Sequence, residues 1–187
     1  MRYLLPETIE TERLLLRTWL PEDAGPLDEI YRQPAYLETM PPARAEEQIA
    51  MWSHRWEEDG FSQWAACDRA SGQLIGRIGL IRHHDWPLAP DPVEVGWLLQ
   101  RDWWGRGLAT EGGRASIEAW LQHLPDERLY SFTAPENRRS RAVMEQLRMT
   151  YRGTAVWRGF EHVWYALDRA DALSLGPTER TATMAEP

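Results

Sequence analysis

The stretch EVGWLLQRDWWGRGLATEG, residues 94–112, decides how the rest of the chain is interpreted. It begins as an apolar strand, passes through two tryptophans and two glycines, and continues with helical spacing of apolar residues from Leu108. Glycine destabilises a helix by up to about 1 kcal/mol relative to alanine. Gly105 and Gly107 therefore indicate a backbone constraint with three open explanations: a tight turn, a close helix–sheet contact, or a phosphate held by N–H groups at a helix N-terminus.

A phosphate site is one explanation, because the first N–H groups of a helix lack intrahelical partners and lie at the positive end of its dipole. Arg106 would add a cation and Thr110 a hydroxyl donor. A Rossmann dinucleotide loop is the rival, but its third glycine position falls on Thr110. The next strand also ends in Thr133 and Ala134, without the acidic residue that binds ribose. The spacing of the two glycines does not by itself distinguish a phosphate site from a purely structural turn.

Composition and charge limit the possible functions further. The 187 residues carry a net charge of −8, which disfavours nucleic-acid binding because that needs a basic face. All 21 basic residues are arginines, so a Walker A loop and a pyridoxal Schiff base, which need lysine, are excluded. With a single cysteine, Cys67, and no apolar run of membrane-spanning length, the sequence predicts a cytoplasmic protein without disulfides or membrane contact.

Periodicity predicts an α+β fold, a single domain over residues 1–171, with a mixed β-sheet flanked by helices. The predicted order is β-α-α-β-β-β-α-β-α-β-β. Strands are predicted at 11–19, 61–68, 73–83, 93–100, 128–134, 151–159 and 161–169, and helices at 21–33, 43–60, 108–121 and 136–148. Residues 172–187 are polar and aperiodic, which predicts a disordered tail.

Several motifs taken together resemble the GNAT acetyltransferase superfamily, in particular its RimJ/RimL-like branch. They are the opening IETERLLLRTWLPEDA (9–24), the hairpin GQLIGRIGL (72–80), the stretch at 94–112 and PENRRSRAVMEQLRM (135–149). The resemblance covers roughly residues 8–169 and implies an acetyl-CoA-dependent N-acetyltransferase. The acceptor would be a protein N-terminal amine or a small-molecule amine, and a homodimer is an open possibility.

The resemblance also implies which residues hold acetyl-CoA. A splayed pair of parallel strands would pair with the pantetheine arm through the backbone of Leu98 and Leu99, and the turn at 105–110 would receive the pyrophosphate. Asn137 would hydrogen-bond the cofactor arm, although an asparagine there is also a good helix cap. The implied cofactor-binding residues are Leu98, Leu99, Gly105, Arg106, Gly107, Ala109, Thr110 and Asn137.

Two side chains are candidates for the chemistry. Glu94 matches the superfamily's frequent base position and would take the amine proton through a water, or would simply be a strand carboxylate facing solvent. Ser140 matches a serine that can reach the thiol end of the cofactor. No third ligand follows His83 and His84 at a recognisable metal-ligand spacing, so this pair is interpreted as a loop edge and no metal is predicted. The three arginines at 138, 139 and 141 are interpreted as a solvated helix face.

Three positions depart from the superfamily pattern. Asp102 stands where Gln or Arg often precedes the first glycine, Arg148-Met149 replaces Gly-Phe, and Met144 occupies the position of a catalytic tyrosine. The missing tyrosine leaves an alternative open, in which the protein binds acyl-CoA as a sensor or scaffold without efficient turnover. Acceptor contacts are expected from the helix pair at 21–60 and the loop at 83–92.

Overall fold

A computed structural model describes residues 4–37 and 43–174, and these residues form one mixed β-sheet with helices on both faces. Its eight strands lie in the order β1-β2-β3-β4-β5-β6-β8-β7. Their bounds are β1 Thr8–Glu10, β2 Leu14–Arg17, β3 Gln63–Asp68, β4 Leu74–Arg82, β5 Val93–Leu99, β6 Arg128–Thr133, β7 Thr150–Trp157 and β8 Phe160–Asp168.

The helices divide between the two faces of the sheet and enclose two apolar clusters. Their bounds are α1 Ala24–Tyr31, α2 Pro34–Leu37, α3 Ala45–Glu58, α4 Leu108–His123, α5 Arg138–Gln146 and α6 Arg169–Ser174. Helices α4 and α5 cover one face around Ile78, Val95 and Trp120. Helices α1 to α3 cover the opposite face, where Trp52 and Ile81 are buried. None of the helices in the described part of the chain is both long and apolar enough to span a membrane.

Strands β5 and β6 form the parallel pair of the sheet, and they soon separate. Two residue pairs, Val93 with Leu129 and Glu94 with Tyr130, make up their ladder. Immediately beyond, the Ser131 hydroxyl donates to the Val95 carbonyl oxygen at 2.8 Å, so a side chain replaces the next backbone partner. The remainder of β5 therefore has one edge turned toward a gap in the sheet.

The predicted fold class is confirmed, and every predicted strand and helix is present. Sequence periodicity missed β1, α2 and α6, which have three, four and six residues and are too short to show a period. The predicted domain end at residue 171 lies inside α6, since Ala172 is only 1% exposed and packs into the core. The rest of the predicted tail, 175–187, lies outside the described residues.

Candidate active site

The turn between β5 and α4 owes its glycines to backbone conformation. Gly105 and Gly107 have φ angles of 71° and 76°, in the left-handed region that side-chain-bearing residues avoid. A β carbon on Gly105 would meet nothing within 4 Å, so this glycine is not there to make a close contact. The close helix–sheet contact falls one turn later, where a β carbon on Gly112 would lie 2.5 Å from Ile78 Cδ1.

The same turn presents the N-terminus of α4 to solvent. Gly107 is the N-cap residue, and its carbonyl oxygen accepts from the N–H of Glu111 at 2.9 Å. The N–H groups of Leu108, Ala109 and Thr110 precede the first intrahelical donor and lie at the positive end of the helix dipole. This end of α4 is therefore suited to an anion.

The Thr110 side chain does not serve the role expected of it. Its hydroxyl donates to Gln146 Oε1 of α5 at 2.6 Å, and the residue is only 7% exposed. A hydroxyl has one proton to donate, so this hydrogen bond ties α4 to α5 and leaves the backbone N–H of Thr110 as its donor toward the turn.

Two arginines flank the turn because the adjacent tryptophans support them. The Arg106 guanidinium lies 4.8 Å from the Trp103 ring centre, and the Arg139 guanidinium lies 4.7 Å from that of Trp104. The Trp104 indole N–H in turn donates to the Leu99 carbonyl oxygen at 2.7 Å. Arg139 is exposed, as the interpretation of a solvated face has it, and its contact with Trp104 also brings it to the end of β5. The sequence feature that could have indicated this position is the Trp103-Trp104 pair, because arginine side chains stack on such rings.

Strand alternation decides which backbone groups of β5 face the gap. The His83 N–H donates to the Pro92 carbonyl oxygen and the Gln100 N–H to the Ile75 carbonyl oxygen, so even-numbered residues of β5 pair with β4. The N–H and C=O of Leu98 therefore point at Arg77 in β4, contrary to the expectation for Leu98. Trp97 and Leu99 point into the gap instead.

Glu94 is held by a histidine rather than exposed to solvent. His83 Nε2 and Glu94 Oε2 are 2.6 Å apart, and His83 is 6% exposed. His83 lies at the edge of the loop, directly after β4, as the sequence interpretation has it, but the residue is buried and its N–H extends the β4–β5 ladder to Pro92. His84 beside it is exposed and paired with Asp91 at 2.6 Å.

Aromatic rings surround this carboxylate–imidazole pair. The His83 ring lies 4.9 Å from that of Trp157 and 5.7 Å from that of Phe132, which stacks on Trp86 at 3.9 Å. His83 Nδ1 is buried and has no hydrogen-bond partner within residues 4–37 and 43–174. Glu94 also belongs to the last pair that β5 makes with β6, so the carboxylate lies where the two strands part.

The start of α5 lies at the same edge of the sheet, because it follows β6 as the glycine turn follows β5. Asn137 Oδ1 accepts from the Ser140 N–H at 3.1 Å, which makes Asn137 the N-cap of α5. Met144, at the position of the family tyrosine, is 1% exposed in the core. Arg148 has a φ of 61°, so an arginine takes the left-handed position that a glycine would take at a helix end.

A partly buried ion pair fixes the glycine turn to residues near the start of the chain. The Arg13 Nε donates to Glu111 Oε2 at 2.7 Å, and its Nη1 donates to the Arg106 carbonyl oxygen at 2.8 Å. Glu111 Oε1 accepts from the Thr11 hydroxyl at 2.6 Å. Burial raises the pKa of Glu111, but the hydrogen bonds from Thr11 and Arg13 outweigh it and hold this pKa below its ordinary value.

Glu111→Gln is expected to destabilise the fold by about 1–3 kcal/mol at pH 7, because it removes the negative charge that Arg13 and Thr11 hydrogen-bond. A lowered pKa contributes stability above the unfolded-state pKa, near 4.3 for glutamate, and that contribution disappears as pH falls through the folded-state pKa. Urea unfolding should therefore show a difference in the free energy of unfolding between the wild type and Glu111→Gln at pH 7, and this difference should disappear at pH 3. Glu12→Gln, at an exposed position, is the control. An equal difference in the free energy of unfolding at both pH values would refute the stabilising role of the ionised Glu111 carboxylate.

Comparison with known proteins decides the family. A family model described as the acetyltransferase (GNAT) domain matches residues 13–150. The chain belongs to the GNAT acetyltransferase family. Over 149 residues it is 27% identical to the uncharacterized N-acetyltransferase p20 of Bacillus licheniformis. The aligned part covers 75% of this chain and 81% of p20.

Solved acetyltransferase structures share its fold. An acetyltransferase from Agrobacterium tumefaciens strain C58 matches with a TM-score of 0.74 at 27% identity, covering 89% of this chain and 96% of the other. RimL, a ribosomal L7/L12 α-N-protein acetyltransferase solved with coenzyme A, matches with a TM-score of 0.68 over 87% and 98% of the two chains. At 15% identity, this second likeness concerns the fold alone.

GNAT proteins use acetyl-CoA, and the residues around the turn suit that group. The helix N-terminus offers N–H donors, and Arg106 and Arg139 add positive charge on either side of it. The edge of β5 that faces the gap adds the backbone groups of Trp97 and the N–H of Leu99 for an amide-bearing chain, while the Leu99 carbonyl oxygen already accepts from Trp104. The arrangement is thus able to bind both a pyrophosphate and an extended arm.

Proposed function

We propose that this GNAT protein transfers the acetyl group of acetyl-CoA directly to a primary amine, either a protein N-terminal amine or a small-molecule amine. The supporting observation is the Glu94 carboxylate, which His83 holds at 2.6 Å at the point where β5 and β6 part. A base at that point would face an amine approaching the gap. The name of p20, an N-acetyltransferase, agrees with nitrogen as the acceptor atom.

The cofactor would lie along the β5 edge with its phosphates at the α4 N-terminus. Trp97 and Leu99 would pair with the pantetheine arm, and Asn137 would donate its side-chain N–H₂ to it. The pyrophosphate would contact the N–H groups from Gly105 to Thr110, including that of Ala109. Arg106 and Arg139 would neutralise its charge. Acetyl-CoA supplies an acyl group activated as a thioester.

Glu94 would make the amine nucleophilic. The pKa of an α-amine is about 8 and that of a lysine amine about 10.4, so at neutral pH most of either is protonated and unreactive. Glu94 would take the proton, directly or through a water, while His83 keeps the carboxylate in place. His83 is a positioning residue in this account.

The remaining steps need little assistance. Glu94 would first release the proton it has taken to water. As the nitrogen–carbon bond forms and the carbon–sulfur bond breaks, the electron pair leaves on sulfur and the second amine proton passes toward Glu94. The N–H groups at the β5 edge, near Leu99, would stabilise negative charge on the acetyl oxygen. Ser140 or water would protonate the thiolate, since a thiol pKa near 8.5 requires only a weak acid.

Both the branch and the cellular location are part of this proposal. The RimJ/RimL-like branch is supported by the TERLLLR opening, whose Thr11 and Arg13 hold Glu111 of α4. A cytoplasmic protein is supported by the single cysteine, Cys67, which is buried and free.

Thiol release from acetyl-CoA, followed across a panel of amines, tests the proposal. The panel contains ribosomal N-terminal peptides, polyamines, aminoglycosides and amino acids. Release that requires both enzyme and acceptor is expected for at least one class. Tight binding of acetyl-CoA without acceptor-dependent release by any amine would favour the sensor or scaffold instead.

A further inference from the structure

The sheet face under α1 to α3 brings an amide and a carboxylate together over a glycine. A β carbon on Gly96 would lie 2.9 Å from Gln63 Nε2 and 3.4 Å from Glu94 Oε1. Gln63 is 2% exposed, and its backbone carbonyl oxygen accepts from the Trp19 indole N–H at 3.0 Å. A β carbon at position 96 would crowd both side chains, so the absence of one leaves space for Gln63 Nε2 and Glu94 Oε1 on the same side of Gly96.

A cation continues this polar row. Arg77 lies on β4 opposite Leu98, and its Nη1 donates to Gln63 Oε1. The guanidinium carbon lies 5.5 Å from the centre of the Trp52 ring, which is 2% exposed. Arg77 Nε is buried and has no hydrogen-bond partner in the described part of the chain. One face of this guanidinium is thus enclosed while a donor stays unused.

Arg77 differs from two other partly buried arginines, Arg17 and Arg82, in having no carboxylate partner in the described part of the chain. Arg17 pairs with Asp23 at 2.7 Å and Arg82 with Asp126 at 3.0 Å. Within residues 4–37 and 43–174, no carboxylate lies at ion-pair distance from Arg77. A half-buried, uncompensated cation is costly unless an anion joins it.

The neighbouring phenols do not supply that negative charge. Tyr31 is 4% exposed and stacks on Tyr36 at 4.6 Å. Burial raises the pKa of Tyr31 to about 12, with the Arg77 guanidinium acting in the opposite direction. Tyr31 therefore stays neutral at physiological pH.

We infer that the acceptor is a small amine that carries its own carboxylate, such as an α-amino acid, with Arg77 binding the carboxylate and Glu94 facing the amine. The inference rests on the proposed function and narrows its acceptor. Gln63 contacts Arg77 on one side, and its Nε2 lies on the same side of Gly96 as Glu94 Oε1, so a cation and an anion stand at the two ends of one polar row. That order is complementary to the opposite charges of an amino carboxylate.

The test compares amino acids with their carboxamides as acceptors, by thiol release with the wild-type protein. The carboxamide has the lower amine pKa, so a larger fraction of its amine is neutral and reactive at pH 7. A preference for the acid therefore requires recognition of the carboxylate. We expect kcat/KM to favour the acids by about 10- to 100-fold, the effect of hydrogen bonds to a charged group.

Arg77→Gln should remove that preference by raising KM for the acids, with KM for the amides and the affinity for CoA unchanged. Arg82→Gln is the control: Arg82 lies on the same strand but is paired with Asp126, so this variant should keep the preference for acids. Equal use of acids and amides by the wild type would overturn the inference even if Arg77→Gln fails to fold. Turnover only of peptides, polyamines or aminoglycosides would overturn it and leave the proposed function standing. No turnover of any amine would overturn both.

Discussion

Glu94→Gln is expected to slow acetyl transfer at pH 7 by roughly 100-fold or more, within the range of general-base catalysis. Glutamine keeps the shape and polarity of the side chain and a contact to His83, but it cannot accept the amine proton. Affinity for CoA and the melting temperature should be almost unchanged. The variant should regain part of its rate as pH rises toward the amine pKa, because solvent then supplies the neutral nucleophile.

Rates of both proteins against pH, with one acceptor, measure this effect. Glu161→Gln, on the exposed end of β8, is the matched control and should behave as the wild type. Equal rates for wild type and Glu94→Gln near pH 7 would remove Glu94 from the mechanism. Positioning and the fraction of amine already neutral would then carry the reaction.

Gly107→Val is expected to lower CoA affinity by more than about tenfold, because a β-branched side chain would stand beside the N–H groups that receive the pyrophosphate. At a φ of 76° the valine is also strained, so a loss of about 1–2 kcal/mol in stability is expected as well. The two effects must be separated.

Gly72→Val separates them. Gly72 has a φ of 74°, nearly that of Gly107, and a β carbon on it would meet nothing within 4 Å, but it lies in the β3–β4 turn. Both variants should lose similar stability in urea, and only Gly107→Val should lose CoA binding by calorimetry. A folded Gly107→Val with wild-type affinity would refute the phosphate assignment.

Local sequence was sufficient for the features whose cause is local. The Gly-x-Gly turn, the following helix and the Asn137 cap were all predictable, because left-handed glycines and helix caps depend on a few neighbouring residues. The short elements β1, α2 and α6 were not, because three to six residues show no periodicity.

Features that depend on strand register could not be predicted. Whether Leu98 or its neighbours face the gap changes with a one-residue shift of β5 against β4. The His83–Glu94 and Arg77–Gln63 contacts join different strands, 11 and 14 residues apart. Thr110 likewise donates a hydrogen bond to Gln146, 36 residues away, that no local pattern indicates.

Direct transfer to nitrogen is the central claim, and mass spectrometry with isotope-labelled acetyl-CoA tests it most directly. The protein, the labelled cofactor and a reactive acceptor are mixed, and the free thiol, the acceptor and the intact protein are measured together. The account predicts one labelled acetyl group on the amine nitrogen for each thiol released, with none on the protein. Thiol release without acetylated amine, or label accumulating on the protein, would contradict it.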